Sequence, residues 1–395
     1  MKILRQSKKS KARIARFSTP HGIVETPFFM PIATRGAVKT LDIEDVMSLK
    51  PTVVLNNTFH LFMRPGLEVI KKAKGLHTFM GWQGPILTDS GGFQIFSLGA
   101  RKRAGVETEG LVRLKDEGVE FRDTVSGAKH FFTPEKIIEI QKVLGSDIMM
   151  ALDVCPPYPI SHEGAKDAVR MTTEWAKRCK VQNATADGGV PLEGGKKYKG
   201  ESRRNMRQPM LFGIVQGSVY KDLRIQSAKE LTRLDFDGYA IGGVSVGESW
   251  NEKKKVIQWT TPLLPEDKPR YLMGFGMPEE IVASVAHGVD MFDCVLPTRN
   301  ARHGYLFVRR PGVRAWQRKS FYTAMHITGE KYRLDMRPVD AECPCLACRH
   351  YSRAYLRHLF KISEPLGQRL ATLHNLQFYL DLMRELRAGI WSGSF

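Results

Sequence analysis

Eight short apolar segments alternate along the chain with stretches of helical periodicity, and this alternation constrains the fold more than any other feature. The segments are residues 27–31, 52–56, 85–88, 148–152, 211–215, 238–241, 270–273 and 291–295. Amphipathic stretches separate most of them, such as 134–144, which follows the candidate N-cap Thr133. Strands that alternate with helices indicate a parallel sheet, and eight such units predict a closed (β/α)8 TIM barrel.

The distribution of charge predicts a polyanionic partner. The chain has 60 Lys and Arg against 41 Asp and Glu, a net charge of +19. Seven of the basic residues lie within residues 1–20, which contain no acid, and residues 296–395 contain 17 basic against 7 acidic residues. The residues between are therefore almost neutral. Nucleic acid is the simplest polyanion for such basic ends, and solubility alone is the competing interpretation.

The sequence predicts neither a membrane protein nor a secreted one. No run of about 18 apolar residues is present, and the basic N-terminus lacks the apolar segment of a secretory signal. Six cysteines are too few for a disulfide scaffold in 395 residues. A cytoplasmic protein without membrane contact is expected.

Three carboxylates accompany different apolar segments of the predicted barrel. Asp89 and Asp153 follow the third and fourth segments, and Asp293 lies in the eighth. The carboxyl ends of the strands in such a barrel meet at one mouth, so the three are expected to converge there. Converging carboxylates raise one another's pKa, which suits substitution at a sugar anomeric carbon, where one attacks and another moves the leaving-group proton. For any single aspartate, a helix N-cap or a loop ion pair is the competing interpretation.

Groups suited to a planar heterocycle lie around these carboxylates in the sequence. Gln216 offers amide donors and acceptors, and Gly243, which follows another glycine, allows close backbone approach. Phe93 and Met273 have side chains that stack on ring faces, although both residue types are also common in cores.

A compact cysteine cluster predicts a structural metal site. Cys343, Cys345 and Cys348 provide three thiolates with C-x-C-x-x-C spacing, and tetrahedral zinc needs a fourth ligand. The candidate histidines are His350, His358 and His374. His374 is favoured, because a helix-like segment before it lets the chain fold back over the cluster. Four protein ligands close a zinc site, so the ion is expected to be structural; an iron–sulfur cluster is the alternative, but usually takes four cysteines.

These observations divide the chain into two parts. Residues 1–310 are expected to form the barrel as a catalytic domain, with a flexible Gly-rich insertion at about 181–208. Residues 311–395 are expected to form a zinc-binding subdomain and the C-terminal helices. A run of basic residues that includes Arg299 and Arg302 starts just after Asp293 and enters this second part. Such residues suit phosphates that flank a base splayed into the barrel.

Six motifs together resemble the tRNA-guanine transglycosylase (queuine tRNA-ribosyltransferase) family, of bacterial type. The motifs are DSGGFQ (89–94), GIVQG (213–217), AIGG (240–243), FDCVLPTR (292–299), NNTFHLFMRPG (56–66) and the cysteine cluster with its distant histidine. The resemblance implies a TIM barrel with a C-terminal zinc subdomain, and usually a homodimer. It also implies that guanine at the wobble position of tRNAs with GUN anticodons is exchanged for a 7-deazaguanine base, in queuosine biosynthesis.

The resemblance assigns roles to residues by motif. It implies that Asp293 is the nucleophile on ribose C1′ and that Asp89 is the general acid/base. The implied base-binding residues are Asp153, Gln216, Gly243, Phe93 and Met273. The implied anticodon-loop contacts are Arg299 and Arg302. The implied zinc ligands are Cys343, Cys345, Cys348 and His374.

Four positions bear on how far the resemblance extends to the incoming base. Val154 stands where the family often has an acidic residue, and Ser245 replaces the more usual bacterial Ala. Cys155 and Val246 resemble bacterial members, which take the small aminomethyl base preQ1. Eukaryotic members have a smaller residue at the Val246 position, which admits queuine. PreQ1 is therefore the expected base, and queuine the alternative.

Two further alternatives belong to other functional classes. An archaeosine-type transglycosylase acts in the tRNA D-arm and carries long additional C-terminal domains, so a sequence that ends at Phe395 argues against it. A non-catalytic tRNA-binding paralogue is expected to lose the nucleophile or the general acid, yet Asp89 and Asp293 are both present.

Overall fold

The strands form a central barrel and three smaller sheets. The computed structural model describes residues 1–100, 112–123, 125–185, 208–318 and 320–395. In chain order, the strands there are β1 (Lys2–Gln6), β2 (Arg13–Thr19), β3 (Gly22–Thr26), β4 (Phe28–Met30), β5 (Ile32–Ala33), β6 (Val54–Asn56), β7 (Ile86–Thr88), β8 (Val112–Lys115), β9 (Gly118–Arg122), β10 (Lys129–Phe132), β11 (Ile148–Met150), β12 (Met210–Val215), β13 (Gly238–Ile241), β14 (Arg270–Leu272), β15 (Met291–Asp293), β16 (Tyr305–Arg309) and β17 (Tyr322–His326).

Helices follow most of the barrel strands, and the longest helices are near the middle and the end of the chain. They are α1 (Ile43–Leu49), α2 (Thr58–Met63), α3 (Leu67–Lys72), α4 (Leu76–Met80), α5 (Gly92–Ala100), α6 (Pro134–Leu144), α7 (His162–Ala184), α8 (Lys221–Arg233), α9 (Trp250–Thr260), α10 (Pro278–Ala286), α11 (Leu296–Arg302), α12 (Leu346–His350), α13 (Arg353–Lys361) and α14 (Pro365–Ser392), with single 3₁₀ turns at Thr261–Leu263 and Glu330–Tyr332.

One sheet closes on itself to form the barrel. Its strand order is β4-β15-β14-β13-β12-β11-β7-β6-β5, and all neighbouring strands are parallel. β4 and β5 lie on either side of Pro31 and act as one strand, since β4 pairs with β15 and β5 pairs with β6. The eight strand positions coincide with the eight apolar segments, so the predicted (β/α)8 barrel is confirmed.

Side-chain alternation separates the barrel interior from the layer beneath the helices. Phe28 and Met30 of β4 join an interior cluster that also contains Met150 and Phe212. Phe29, between them, belongs to the core that the strands share with the helices. Because large apolar side chains fill the interior, the barrel is a packed core, and a binding site is left to its ends.

The basic N-terminal segment covers the end of the barrel where the strands begin. Arg13 forms a buried ion pair with Asp290, which directly precedes β15, at 2.6 Å. The His21 N–H donates to Asp147, which precedes β11, at 3.0 Å. Phe17 of β2 joins the interior cluster from the same end. Residues 1–20 therefore lie opposite the carboxyl ends of the strands.

The C-terminal residues pack onto the barrel through α14. This helix is buried along most of its length and contacts α11, β16 and β4. The division into 1–310 and 311–395 stays a prediction, and the antiparallel pair of β16 and β17 has one strand on each side of it. No helix within the described residues is long and apolar enough to cross a membrane.

The predicted insertion at 181–208 is only partly described. Its first four residues belong to α7, which ends at Ala184. Residues 186–207 of the insertion lie outside the described residues.

Candidate active site

The carboxyl ends of the barrel strands bring the three aspartates to one mouth. Asp89 follows β7, Asp153 follows β11, and Asp293 is the last residue of β15. Asp89 and Asp293 keep partial solvent exposure, whereas Asp153 is only 6% exposed. The convergence expected from the strand ends is therefore present, and each carboxylate differs in its hydrogen bonds.

Asp89 is held by a network of donors from the loops that surround it. Its Oδ1 accepts the N–H groups of Thr58 at 3.0 Å and Gly91 at 3.1 Å, and its Oδ2 accepts the Asn57 amide. Gly91 has φ 77°, and a Cβ there would lie 2.9 Å from the Cβ of Phe59, so the close turn requires glycine.

The Asp89 carboxyl has an unusual protonation equilibrium. Burial raises its pKa to about 7, the Asp293 carboxylate adds to the rise, and the hydrogen bonds from Thr58, Gly91 and Asn57 oppose it. Near neutral pH this carboxyl is therefore present in both protonation states, which suits a group that gives and later takes a proton.

Asp293 is oriented through one of its two oxygens. Tyr271 Oη donates to Oδ1 at 2.6 Å and the Gly274 N–H donates to the same atom at 2.8 Å. Burial raises the pKa of Asp293, and these two hydrogen bonds partly offset the rise. Burial also raises the pKa of Tyr271 well above its ordinary value, so its hydroxyl remains a donor. No described donor binds Oδ2, which leaves that oxygen available for attack.

Asp153 and Gln216 form a buried polar site, called the recess below, with spare acceptor capacity. Gln216 Nε2 donates to Asp153 Oδ2 at 2.7 Å, and Ser90 Oγ donates to Oδ1 at 3.2 Å. Burial raises the pKa of Asp153 to about 6. Gln216 Oε1 is buried without a hydrogen-bond partner. A buried acceptor without a donor is costly, so this recess suits a ligand with an N–H edge.

Gly243 is required where the chain passes this recess. It has φ 59°, and a Cβ there would lie 2.0 Å from Gln216 Oε1. Any side chain at this position would therefore displace the amide that holds Asp153.

Arg224 fixes the backbone of the loop after β13 by hydrogen bonds. Its fully buried guanidinium donates to the carbonyl oxygens of Gly242 at 2.7 Å and Gly243 at 2.9 Å, and to those of Val215 and Ser218. Burial lowers the pKa of Arg224 to about 10, so it stays charged at neutral pH.

Phe93 and Met273 occupy different environments near the recess. Phe93 is 51% exposed in the first turn of α5, which starts against Asp153. Met273 is partly buried, with its sulfur 3.5 Å from the position of a Cβ built on Gly242. An exposed ring beside a polar recess differs from the core placement that phenylalanine usually takes.

Two arginines extend the mouth toward the C-terminal part of the chain. Arg299 and Arg302 lie on α11, which begins three residues after Asp293. Arg299 is exposed and Arg302 partly buried. Burial and the neighbouring Arg299 lower the pKa of Arg302. Neither makes an ion pair with a described carboxylate, so both charges are available to a ligand.

Three functional candidates were missed by sequence reasoning. Asn57 follows β6, so the strand-end argument that found Asp89 could have found it. Tyr271 lies inside β14 and carries no local signal. Arg224 is a single arginine among the buried residues of α8, and only the fold brings it beneath Gly243.

Three cysteines and a histidine form a candidate metal centre beside α14. The ligand atoms of Cys343, Cys345, Cys348 and His374 all lie within 4.8 Å of one another. His374 Nδ1 is 3.2 Å from Cys348 Sγ and 4.0 Å from Cys345 Sγ. Its Nε2 is 2.7 Å from the Phe307 carbonyl oxygen, which points Nδ1 at the sulfurs. The set can hold one metal ion, and its donors and spacing fit structural zinc.

Comparison with known proteins gives matches along almost the entire chain. The family model described as queuine tRNA-ribosyltransferase matches residues 7–395. Proteins of that name are similar in Desulforudis audaxviator (46% identity over 393 residues, 100% of this chain and 94% of the relative) and Pelotomaculum thermopropionicum (48% over 382 residues, 97% and 92%). A third is that of Shouchella clausii (47% over 387 residues, 98% and 91%).

We predict that the cysteine cluster binds one zinc ion per chain and that its loss destabilises the protein. Cys345→Ser should lower the zinc content to near zero and reduce the thermal midpoint, because a structural site contributes its binding free energy to folding. Mass spectrometry of the metal content and thermal denaturation measure both effects. Cys179→Ser is the matched control: Cys179 is buried outside the cluster, so this variant should keep its zinc. Full zinc in Cys345→Ser would contradict the assignment.

Proposed function

The chain belongs to the queuine tRNA-ribosyltransferase family, and we propose that it exchanges guanine at the tRNA wobble position for a 7-deazaguanine base. The arrangement of Asp89 and Asp293 at one mouth of the barrel carries this proposal. The pKa of Asp89 is near neutral pH, and Asp293 is oriented by hydrogen bonds to one oxygen, while its other oxygen accepts none from the described residues. The proposal makes the protein a pentosyltransferase.

The reaction proceeds by two displacements at ribose C1′. Asp293 Oδ2 attacks C1′, the C1′–N9 bond breaks, and its electron pair leaves with guanine, which Asp89 protonates. The product is a covalent ribosyl-enzyme ester. Asp89 then takes a proton from the incoming base, whose nitrogen attacks C1′ and releases Asp293. Two inversions retain the configuration, and no nucleoside triphosphate is needed, since one N-glycosidic bond replaces another.

The buried recess is assigned to base recognition. Asp153 and Gln216 accept N–H groups of the base edge, which explains the unpartnered Gln216 Oε1. The backbone of Gly243 contacts the same edge, while Phe93 and Met273 cover the two faces of the ring. This role explains why Phe93 is exposed in the absence of a ligand: the bound base would cover its ring.

The incoming base is proposed to be preQ1. Cys155 is buried, and burial raises the pKa of its thiol to about 12, so it presents a neutral wall. Glu248 Oε2 accepts the Val246 N–H at 2.8 Å and the Gly247 N–H at 3.1 Å, which fixes the backbone at Val246. A fixed valine limits the size of the substituent on the base.

The partners and the setting follow from the same proposal. Arg299 and Arg302 hold phosphates of the anticodon loop in tRNAs with GUN anticodons, and a homodimer in the cytoplasm is the inferred form. The resemblance to the family supports the homodimer and the anticodon specificity. The absence of an ion pair at either arginine within the described residues supports the phosphate contacts.

We expect Asp293→Asn to fold and bind tRNA but to form no covalent adduct. An amide cannot supply the anionic nucleophile, so exchange should fall by more than about 1,000-fold. A denaturing gel of enzyme with tRNA measures the adduct, and peptide mapping identifies the attached residue. Asp267→Asn, which alters an exposed carboxylate, should behave as wild type. A normal adduct yield in Asp293→Asn would remove the nucleophile assignment.

The rate of guanine release should fall as the pH rises through about 7. Release needs the protonated Asp89, and its pKa is raised to about 7, so the protonated fraction of Asp89 is high below this pH and is lost above it. Single-turnover release of radiolabelled guanine from tRNA, measured between pH 5.5 and 9 with saturating enzyme, gives the profile. Asp89→Asn should lose this limb and slow release by about 100-fold or more. A flat wild-type profile would count against Asp89 as the acid.

The choice of base is tested by exchange on tRNA that carries radiolabelled guanine at the wobble position. PreQ1 should release the label and queuine should not, because in this proposal Val246 and Cys155 restrict the space for its larger substituent. Val246→Gly should gain release by queuine while retaining release by preQ1. Release by queuine alone in the wild type would overturn the preference for preQ1.

A further inference from the structure

The hairpin of β16 and β17 carries a row of rings on one face, with an alanine among them. Phe307 is buried in this row, whereas Tyr305 and His326 are exposed. Tyr305 pairs with His326, and Phe307 pairs with Ala324, in antiparallel register. Since alternate residues of a strand share a face, these four side chains lie on the same side of the hairpin. On the opposite face, Leu306 and Met325 belong to the core cluster that contains Cys345 and Cys348, and Val308 packs against it. The alanine among the rings leaves a groove.

The groove is open and its walls are aromatic. It encloses about 420 Å³, and its lining includes Tyr305, Phe307, Tyr322 and His326. Tyr305 is 38% exposed, and the Tyr305 and His326 rings meet edge to face with centroids 6.4 Å apart. Tyr322 Oη donates to Glu279 at 2.8 Å, and His326 Nδ1 lies 2.7 Å from Thr328 Oγ1. These hydrogen bonds hold the Tyr322 and His326 rings in place, so the groove can offer ring surfaces on which a base stacks.

Positive charge and position connect the groove to the candidate active site. Asn300 of α11 and His303 just after it line the groove, and the same helix carries Arg299 and Arg302. Met277 lines both this groove and a smaller cleft that contains Gly274 and Cys294. The Gly274 N–H donates to Asp293 at 2.8 Å, so the cleft that shares Met277 with the groove lies beside the proposed nucleophile.

We propose that this groove stacks one unpaired base of the RNA substrate, next to the nucleotide that enters the barrel. The inference rests on the proposed function and adds a binding site for a second nucleotide. The base stacks on the aromatic side chains of the groove, which is possible for any nucleotide because every base has a π-face. Arg299 and Arg302 bind the adjacent phosphates. The groove thereby helps to hold the loop open while the target base is in the recess.

Two variants and a control test the groove with an RNA hairpin that has the sequence of a GUN anticodon stem-loop. Tyr305→Ala removes a wall, and Ala324→Ile fills the gap at an exposed strand position where a β-branched residue is tolerated. Trp391→Ala removes an aromatic residue that is 60% exposed outside the groove. Guanine exchange gives KM and kcat for the hairpin. Hairpins with 2-aminopurine at one loop position at a time report stacking as fluorescence quenching.

Both groove variants should raise KM by at least about five-fold with kcat little changed, since stacking of one base has this magnitude. One loop position should be quenched on binding to the wild type and to Trp391→Ala, and not in the groove variants. Unchanged KM and quenching in both groove variants, with normal wild-type exchange, would overturn the groove alone. A wild type that exchanges no guanine would instead remove the proposed function.

Discussion

Closure of the parallel barrel is the constraint on which the other features depend. The first strand position is divided at Pro31, and its halves β4 and β5 each bind one neighbour, so the sheet closes only because both halves pair. In the closed barrel every strand is parallel, and all carboxyl ends face one mouth. Asp89, Asp153 and Asp293 are far apart in the sequence and meet only through this closure. The filled interior then confines the chemistry to the mouth.

At that mouth, similar carboxylates acquire different chemistry from their hydrogen bonds. Burial raises the pKa of all three. Asp89 interacts with the Asp293 charge and titrates near neutrality, whereas Asp293 is oriented by Tyr271 and Gly274. Asp153 is occupied by an amide and a hydroxyl. The proposed acid, nucleophile and recognition group thus lie at one mouth with different hydrogen-bond partners.

The sequence alone predicts what depends on local pattern, and misses what depends on packing between distant elements. Apolar segments and polar strand ends reveal the barrel and the three aspartates. The sequence offers three histidines as the fourth ligand and favours His374, and the fold agrees because α14 brings His374 to the sulfurs. Arg224 and Tyr271 have no local signal, since their partners lie on other elements. Net charge alone suggests that both basic ends share one role, yet residues 1–20 cover the opposite end of the barrel.

A hydrogen bond joins the candidate metal centre to the aromatic groove. His374 Nε2 lies 2.7 Å from the carbonyl oxygen of Phe307, and Phe307 pairs with Ala324 at the gap of the groove. Asn375, the next residue of α14, accepts the Phe307 N–H at 3.1 Å. Both backbone groups of Phe307 are therefore held by α14 beside the cysteine cluster. A zinc ion with four protein ligands has no position for substrate, so in the proposed function its role would be to fix this hairpin, and with it the surface that RNA would contact next to the mouth.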